Sequence, residues 1–187
     1  MSMTVSSPPH DLQLVIDFVN TLDLEQGTDE LDTPASLVAW LDDRKLLDGS
    51  VQHVDEAHHA QSLELREALR AAIVAHNGGD RDSGAARKLE RTAEGGQLSV
   101  HFEADGSVTL GPRAEGVVGA LARLLVPIAH AAADGSWQRV KGCAADDCRW
   151  AFYDQSRNHS ARWCDMAVCG NRTKVRTYRT KRTSDID

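Results

Sequence analysis

The sequence predicts an α+β protein, mostly α: a helical N-terminal domain over residues 1–133 carrying one β-hairpin, then over residues 137–187 a small treble-clef-like four-cysteine module that ends in a basic helix. Three observations predict it. Apolar residues recur at helical spacing through most of the first 130 residues, alternation replaces that spacing only between Leu98 and Leu110, and all four cysteines follow Ala133.

The elements follow in chain order. Leu12, Val15, Ile16, Val19 and Leu22 form a helical stripe over His10–Leu22. Thr33-Pro34 is a helix start, a capping hydroxyl followed by proline in the first turn, with Leu37, Val38 and Leu41 on one face and Trp40 in the core. Asp55 to about His76 is the longest helix, packing Leu65, Leu69 and Ile73 inward and ending at Asn77-Gly78-Gly79. Asp82–Ala93 is a more polar helix. The period then changes to two through Leu98–Phe102 and Val108–Leu110, with Asp105-Gly106 between them as the turn of a hairpin. Arg113–Ala133 returns to a broad apolar helix that Pro127 should kink. Ala133–Ser136 reads as the linker.

Composition places the chain among ordinary globular proteins, with 41% apolar and 26% charged residues in 187. No apolar run approaches the ~20 residues that cross a bilayer, and Met1–His10 lacks the pattern of a secretory leader, so a cytoplasmic location with no membrane partner is expected. The net charge of −7 hides an asymmetry. From Arg139 onward eleven Lys/Arg stand against six Asp, a balance of +5; the remainder carries ten basic and twenty-two acidic residues, −12. An acidic body with a basic end suggests that the end faces a polyanion.

The cysteines form the pattern C-x4-C-x15-C-x4-C, as Cys143, Cys148, Cys164 and Cys169. Two close pairs across a connector can each grip one edge of a tetrahedron, which suits one Zn²⁺. Two disulfides or four buried free thiols are the alternatives, and a reducing compartment favours the metal. With four thiolates in the shell His159 is not needed, no position stays open for water, and the ion is structural. No nucleophile elbow or phosphate loop occurs either, so no enzymatic role is expected.

Around these cysteines the segments Trp150-Ala-Phe-Tyr-Asp154, Ser156-Arg157-Asn158, Arg162-Trp163-Cys164-Asp-Met166 and Cys169-Gly170-Asn171-Arg172-x-Lys174 resemble the CGNR zinc finger, whose name is the intact tetrapeptide at 169–172. Leu14-x-x-Asp17-Phe18-Val19-Asn20-Thr21-Leu22 and Leu65-Arg66-Glu-Ala-Leu69-Arg70 resemble the ABATE domain that usually precedes that finger. The resemblance implies a bacterial transcription regulator, responsive to stress or a metabolite, whose N-terminal domain senses an effector and whose finger binds DNA.

Residue chemistry agrees with that division. Asn171–Arg182 holds six Lys/Arg in twelve residues, and a helix there puts Arg172, Arg176 and Arg179 on one face with Lys174 and Lys181 beside it. Arg157, Asn158 and Arg162 in the connector add groups able to grip a phosphate backbone, because guanidinium donates two parallel hydrogen bonds. A solvated basic helix, or one docked on an acidic partner or on the chain's own acidic body, fits the same residues. In the N-terminal domain Asn20, Arg66 and Arg70 offer a carboxylate or phosphate site for a small effector; capping by Asn20 and ion pairing of the arginines is the structural alternative. His58 and His59 point about 100° apart and read as surface residues. A regulator reading a two-fold site is expected to form a homodimer, with Arg113–Ala133 as the candidate interface.

Overall fold

A computed structural model describes residues 8–47, 49 and 54–176, and the mostly helical α+β class holds. Helix α1, Leu12–Val19, buries Leu12, Val15, Ile16, Phe18 and Val19. It is shorter than its apolar stripe. His10 and Asp11 before it take left-handed φ angles of 55°, and Asn20 caps its end. The chain then makes a tight antiparallel hairpin, β1 (Leu22–Asp23) with β2 (Thr28–Asp29), that the sequence pattern does not announce. Its turn is held by the Asp23 carboxylate, which accepts from the amides of Glu25 and Gln26.

Helix α2, Pro34–Asp43, starts on the expected Thr33 cap, where Thr33 and Ser36 form a reciprocal capping box. Helix α3, Glu56–Ala75, is capped by Asp55, and α4, Ser83–Gly95, by Asp82. Strands β3 (Ser99–Phe102) and β4 (Val108–Gly111) pair as expected about Asp105-Gly106, with Gly106 at φ 85°. The long helix beyond them is two helices, α5 (Gly116–Arg123) and α6 (Val126–Asp134). The break falls at Leu124–Leu125, ahead of Pro127, because a proline in a helix's first turn removes no intrahelical bond. Taken together, Gly116–Asp134 is long and apolar enough to span a membrane by composition, contrary to the sequence expectation, but half of it is buried within this protein. Much of its apolar face, Val117, Leu121, Leu124, Leu125 and Ala131, is core, and the exposed apolar residues of this region are Val100, Phe102 and Val108 on the hairpin.

Phe18, Leu37, Leu41, Leu65, Leu69, Ile73 and Leu121 pack between α1, α2, α3 and α5, with Trp40 edge-on to Phe18 at 5.2 Å. Each such side chain contributes about 1.5–3 kcal/mol by leaving water. His59 corrects its assignment to the surface. It is 8% exposed and its ring bonds the Leu31 carbonyl at 2.7 Å, whereas His58 pairs with Asp55 outside.

The cysteine module is built onto this body. Gly135, at φ 78°, ends α6 and leads through a short 3-10 turn directly into β5 (Val140–Gly142), which pairs with β6 (Ala151–Tyr153). Val140 and Ala151 belong to the same buried cluster as the helices. The expected linker is thus one tight turn. Strand β5 lies close against α3: a Cβ on Gly142 would sit 2.5 Å from Val74 Cγ2, so only glycine permits that approach.

Candidate metal centre and the seam around it

Cys143 follows β5 and its amide bonds the Trp150 carbonyl at 2.9 Å, so the first knuckle is the end of the β5–β6 hairpin. The loop reverses through Cys148 N–H to Ala145 O at 2.9 Å and a left-handed Arg149. Asp165 caps the second knuckle by accepting from Ala167 and Val168, and a single turn of π-helix, Met166–Gly170, carries Cys169 inward. Helix continues over 171–176.

The four sulfurs lie within 4.8 Å of one another, with Cys148–Cys164 and Cys164–Cys169 both at 3.7 Å. A tetrahedron with Zn–S of about 2.3 Å has edges of about 3.8 Å. The donors therefore fit, and Cys143, Cys148, Cys164 and Cys169 hold one structural zinc ion; His159 is outside the cluster. Burial, and then the neighbouring Cys143, pushes the Cys148 thiol up to about 12, and the same causes raise Cys164. Thiols this crowded ionise together only around a dication, so metal binding must displace protons.

The connector between the knuckles hangs on a buried ion pair. Lys141 Nζ lies 2.7 Å from Asp154 Oδ2 and donates also to the carbonyls of His159 and Ala161. Asp154 in turn accepts from the amides of Ser156 and Ala161. Both residues are almost wholly buried. Burial alone would raise the Asp154 carboxyl, but Lys141 and Ser156 outweigh it and hold the group at about 2. Arg157, Asn158 and Arg162 stand exposed on the loop so fixed, Arg162 with its guanidinium 5.7 Å from the Trp163 ring.

The arginine face of the last helix is directed differently from the expectation. Arg172 and Arg176 do share a face, and that face meets carboxylates of the same chain. Arg172 grips both oxygens of Glu25, the second at 3.1 Å, and lies 3.7 Å from Asp147. Arg176 bonds Asp147 at 2.8 Å. Lys174 is exposed. Arg179, Tyr178 and Lys181 lie outside the described residues.

Asn20, Arg66 and Arg70 are not brought together around one cavity. Asn20 accepts from Ala151 N at 2.7 Å and donates to Ala151 O at 3.0 Å, acting as a one-residue strand on the edge of β6. Arg66 makes a bidentate pair with Asp29 at 2.6 and 2.8 Å and reaches Glu67 and Thr21. Arg70 donates to the carbonyls of Val19, Leu22 and Arg149 and to Glu67. Arg66 bonds within the body, whereas Asn20 and Arg70 tie the body to the β5–β6 hairpin. His76 and Asn77 at the end of α3 do the same, through the carbonyls of Val140 (2.8 Å), Gly142 (2.8 Å) and Arg162 (2.7 Å). The sequence carried no signal for this pair, because their partners lie more than sixty residues away.

Residues 12–135 match the ABATE family, described as "Putative stress-induced transcription regulator", and residues 139–182 match the CGNR zinc finger. The chain belongs to the ABATE family. No curated protein matches it. The signature of the finger has a physical reading in this ABATE protein. Cys169 is a ligand; a Cβ on Gly170 would lie 2.6 Å from Met166 Sδ; Asn171 bonds back to Ala167 O at 3.0 Å; Arg172 donates to the Cys169 sulfur at 3.4 Å while holding Glu25. The tetrapeptide thus binds the metal, tightens the turn and offsets the charge of the thiolates.

Proposed function

We propose that this ABATE protein is a zinc-containing, cytoplasmic transcription regulator whose finger contacts DNA and whose N-terminal domain senses a small effector, with no catalytic role. The observation that carries the reading is the connector, a loop pinned by the Asp154–Lys141 pair and the zinc, which presents Arg157, Asn158 and Arg162 to solvent. Lys174, exposed beyond Cys169, adds a further cation. Rigidity matters because phosphate contacts made by a preordered loop lose less entropy on binding. Dimerisation on a two-fold operator belongs to the same reading.

Fluorescence anisotropy of the zinc-loaded chain on random-sequence duplex DNA, across a salt series, tests it. Neutralising about five phosphates gives a log–log slope near −4 to −5. Changing Arg157, Arg162 and Lys174 together to Ala should weaken binding and reduce the magnitude of that slope by about 3. A flat salt response of the native chain would sink the proposal.

A second reading is favoured by Arg172. The pairing of Arg172 with Glu25 supports a closed form in which the acidic body occupies part of the basic helix, while Arg176 is held by Asp147 of the finger's own first knuckle. In the extreme the finger is a zinc-stabilised protein-interaction module without nucleic-acid affinity. Salt-dependent loosening of the chain with no DNA binding at any salt would favour it.

A further inference from the structure

The body and the finger leave a cleft of about 690 Å³ between α1 and β6. That volume is typical of small-molecule sites. One wall is a single face of α1, Gln13, Ile16, Asp17 and Asn20 at helical spacing. The other is the finger strand and its flank, Trp150, Phe152 and Tyr153, all half-buried, with the zinc ligand Cys164 behind them. Asp17 and Glu30 line the cleft, and among the described residues neither is paired with a cation; the Asp17 carboxylate accepts only from Gln13, at 2.7 Å. Among the described lining residues the one cation, Arg44, is turned to its own helix, stacked 4.0 Å over Trp40 and bonded to Asp43 and the Trp40 carbonyl. Arg139 already lies over the Tyr153 ring, 5.1 Å from its centroid, so Trp150 and Phe152 are the rings the wall offers to a further cation.

We infer that this cleft binds an organic cation with an apolar body. Aromatic faces attract a cation through the ring quadrupole, by an amount that grows as water is excluded. The two carboxylates select the sign of the charge, and an anion would meet them unpaired. The clamped pair Asn20 and Ala151 also lines the cleft, so an occupant lies between the body and the zinc module. Calling this occupant the effector rests on the sensing role proposed above; the binding itself does not.

Tetraphenylphosphonium and tetraphenylborate have the same shape and opposite charge. Isothermal titration calorimetry of each against the zinc-loaded full chain should show saturable one-site binding of the phosphonium and none of the borate. Asp17→Asn with Glu30→Gln should weaken the phosphonium at least tenfold, with zinc content and thermal midpoint measured on the same sample. The exposed Glu30→Gln alone, which leaves α1 untouched, should weaken it severalfold and covers the case in which the double variant fails to fold. Equal binding of the borate, no binding of the phosphonium, or undiminished binding in a folded double variant (the ion then sitting elsewhere, such as the exposed Phe102 face) would each overturn the assignment. The DNA titration is independent: phosphonium binding without DNA binding would sink the regulator reading and leave the site standing, and the converse would do the reverse.

Discussion

Replacing Asp154 by Asn tests the idea that the connector is hung on one buried ion pair. Asp154 is 1% exposed and its carboxylate accepts from Lys141 Nζ and two backbone amides, while the lysine it fixes also holds the carbonyls of His159 and Ala161. An amide of the same size keeps one acceptor oxygen and leaves the Lys141 ammonium buried without a counter-charge. Removing one partner of such a pair costs about 3–5 kcal/mol. For a chain of this size that lowers the thermal midpoint by roughly 6–20 °C, at about 2–4 °C per kcal/mol. Differential scanning fluorimetry with metal quantification reads it, and zinc should remain bound because no ligand is touched. The double variant Lys141→Met with Asp154→Leu should recover part of the loss, since it leaves no charge to desolvate, while the amides of Ser156 and Ala161 and the carbonyls of His159 and Ala161 still lose their partners. The loop bearing Arg157 and Asn158 should also lose protection against proteolysis in Asp154→Asn. A loss below about 1 kcal/mol, or a double variant as unstable as the sum of its singles, would refute the account. The pH dependence has a definite sign. Asp154 is depressed from 3.8 to about 2 in the folded chain, so its contribution is complete above about pH 4 and disappears as pH falls towards 2.

Other expectations follow from the seam. Gly142→Ala drives a methyl into Val74 and its backbone, so overpacking should cost about 1–3 kcal/mol with zinc retained, read by chemical denaturation. His76 is lowered from 6.5, by burial first, and donates from Nδ1 to Val140 O; its stabilising neutral form is fully present above pH 6.5 and is lost as pH falls through the depressed value, so hydrogen exchange at β5 should quicken in mild acid. Glu25→Gln releases Arg172 from the body and should tighten DNA binding at low salt, with the gain vanishing as salt rises; equal affinity at low salt would refute the closed form. Chelating the zinc should unfold the finger and lower the stability of the helices too, because Val140 and Ala151 share their core; a body whose thermal midpoint ignores the chelator would contradict that.

The sequence alone determined the features that depend on neighbours along the chain. The cap at Thr33, the helix starts at Asp55 and Asp82, the turn at Asp105-Gly106 and the helical stripes of α2 and α3 are local, and spacing encodes them. The four zinc ligands were legible for the same reason, since a tetrahedral ion requires paired thiolates at short range. Other features were decided only in three dimensions. Two short strands at 22–29 leave no periodic trace, and Pro127 signalled a kink without fixing the break at Leu124–Leu125. Asn20, Arg66 and Arg70 carry the chemistry of a ligand site, yet their partners, Ala151, Asp29 and the carbonyl of Arg149, come from distant chain and use those donors internally. The face shared by Arg172 and Arg176 was predictable from helical geometry. What it faces, Glu25 across 147 residues, was not, because a charge on a helix has a direction in sequence but acquires a partner only when the chain closes.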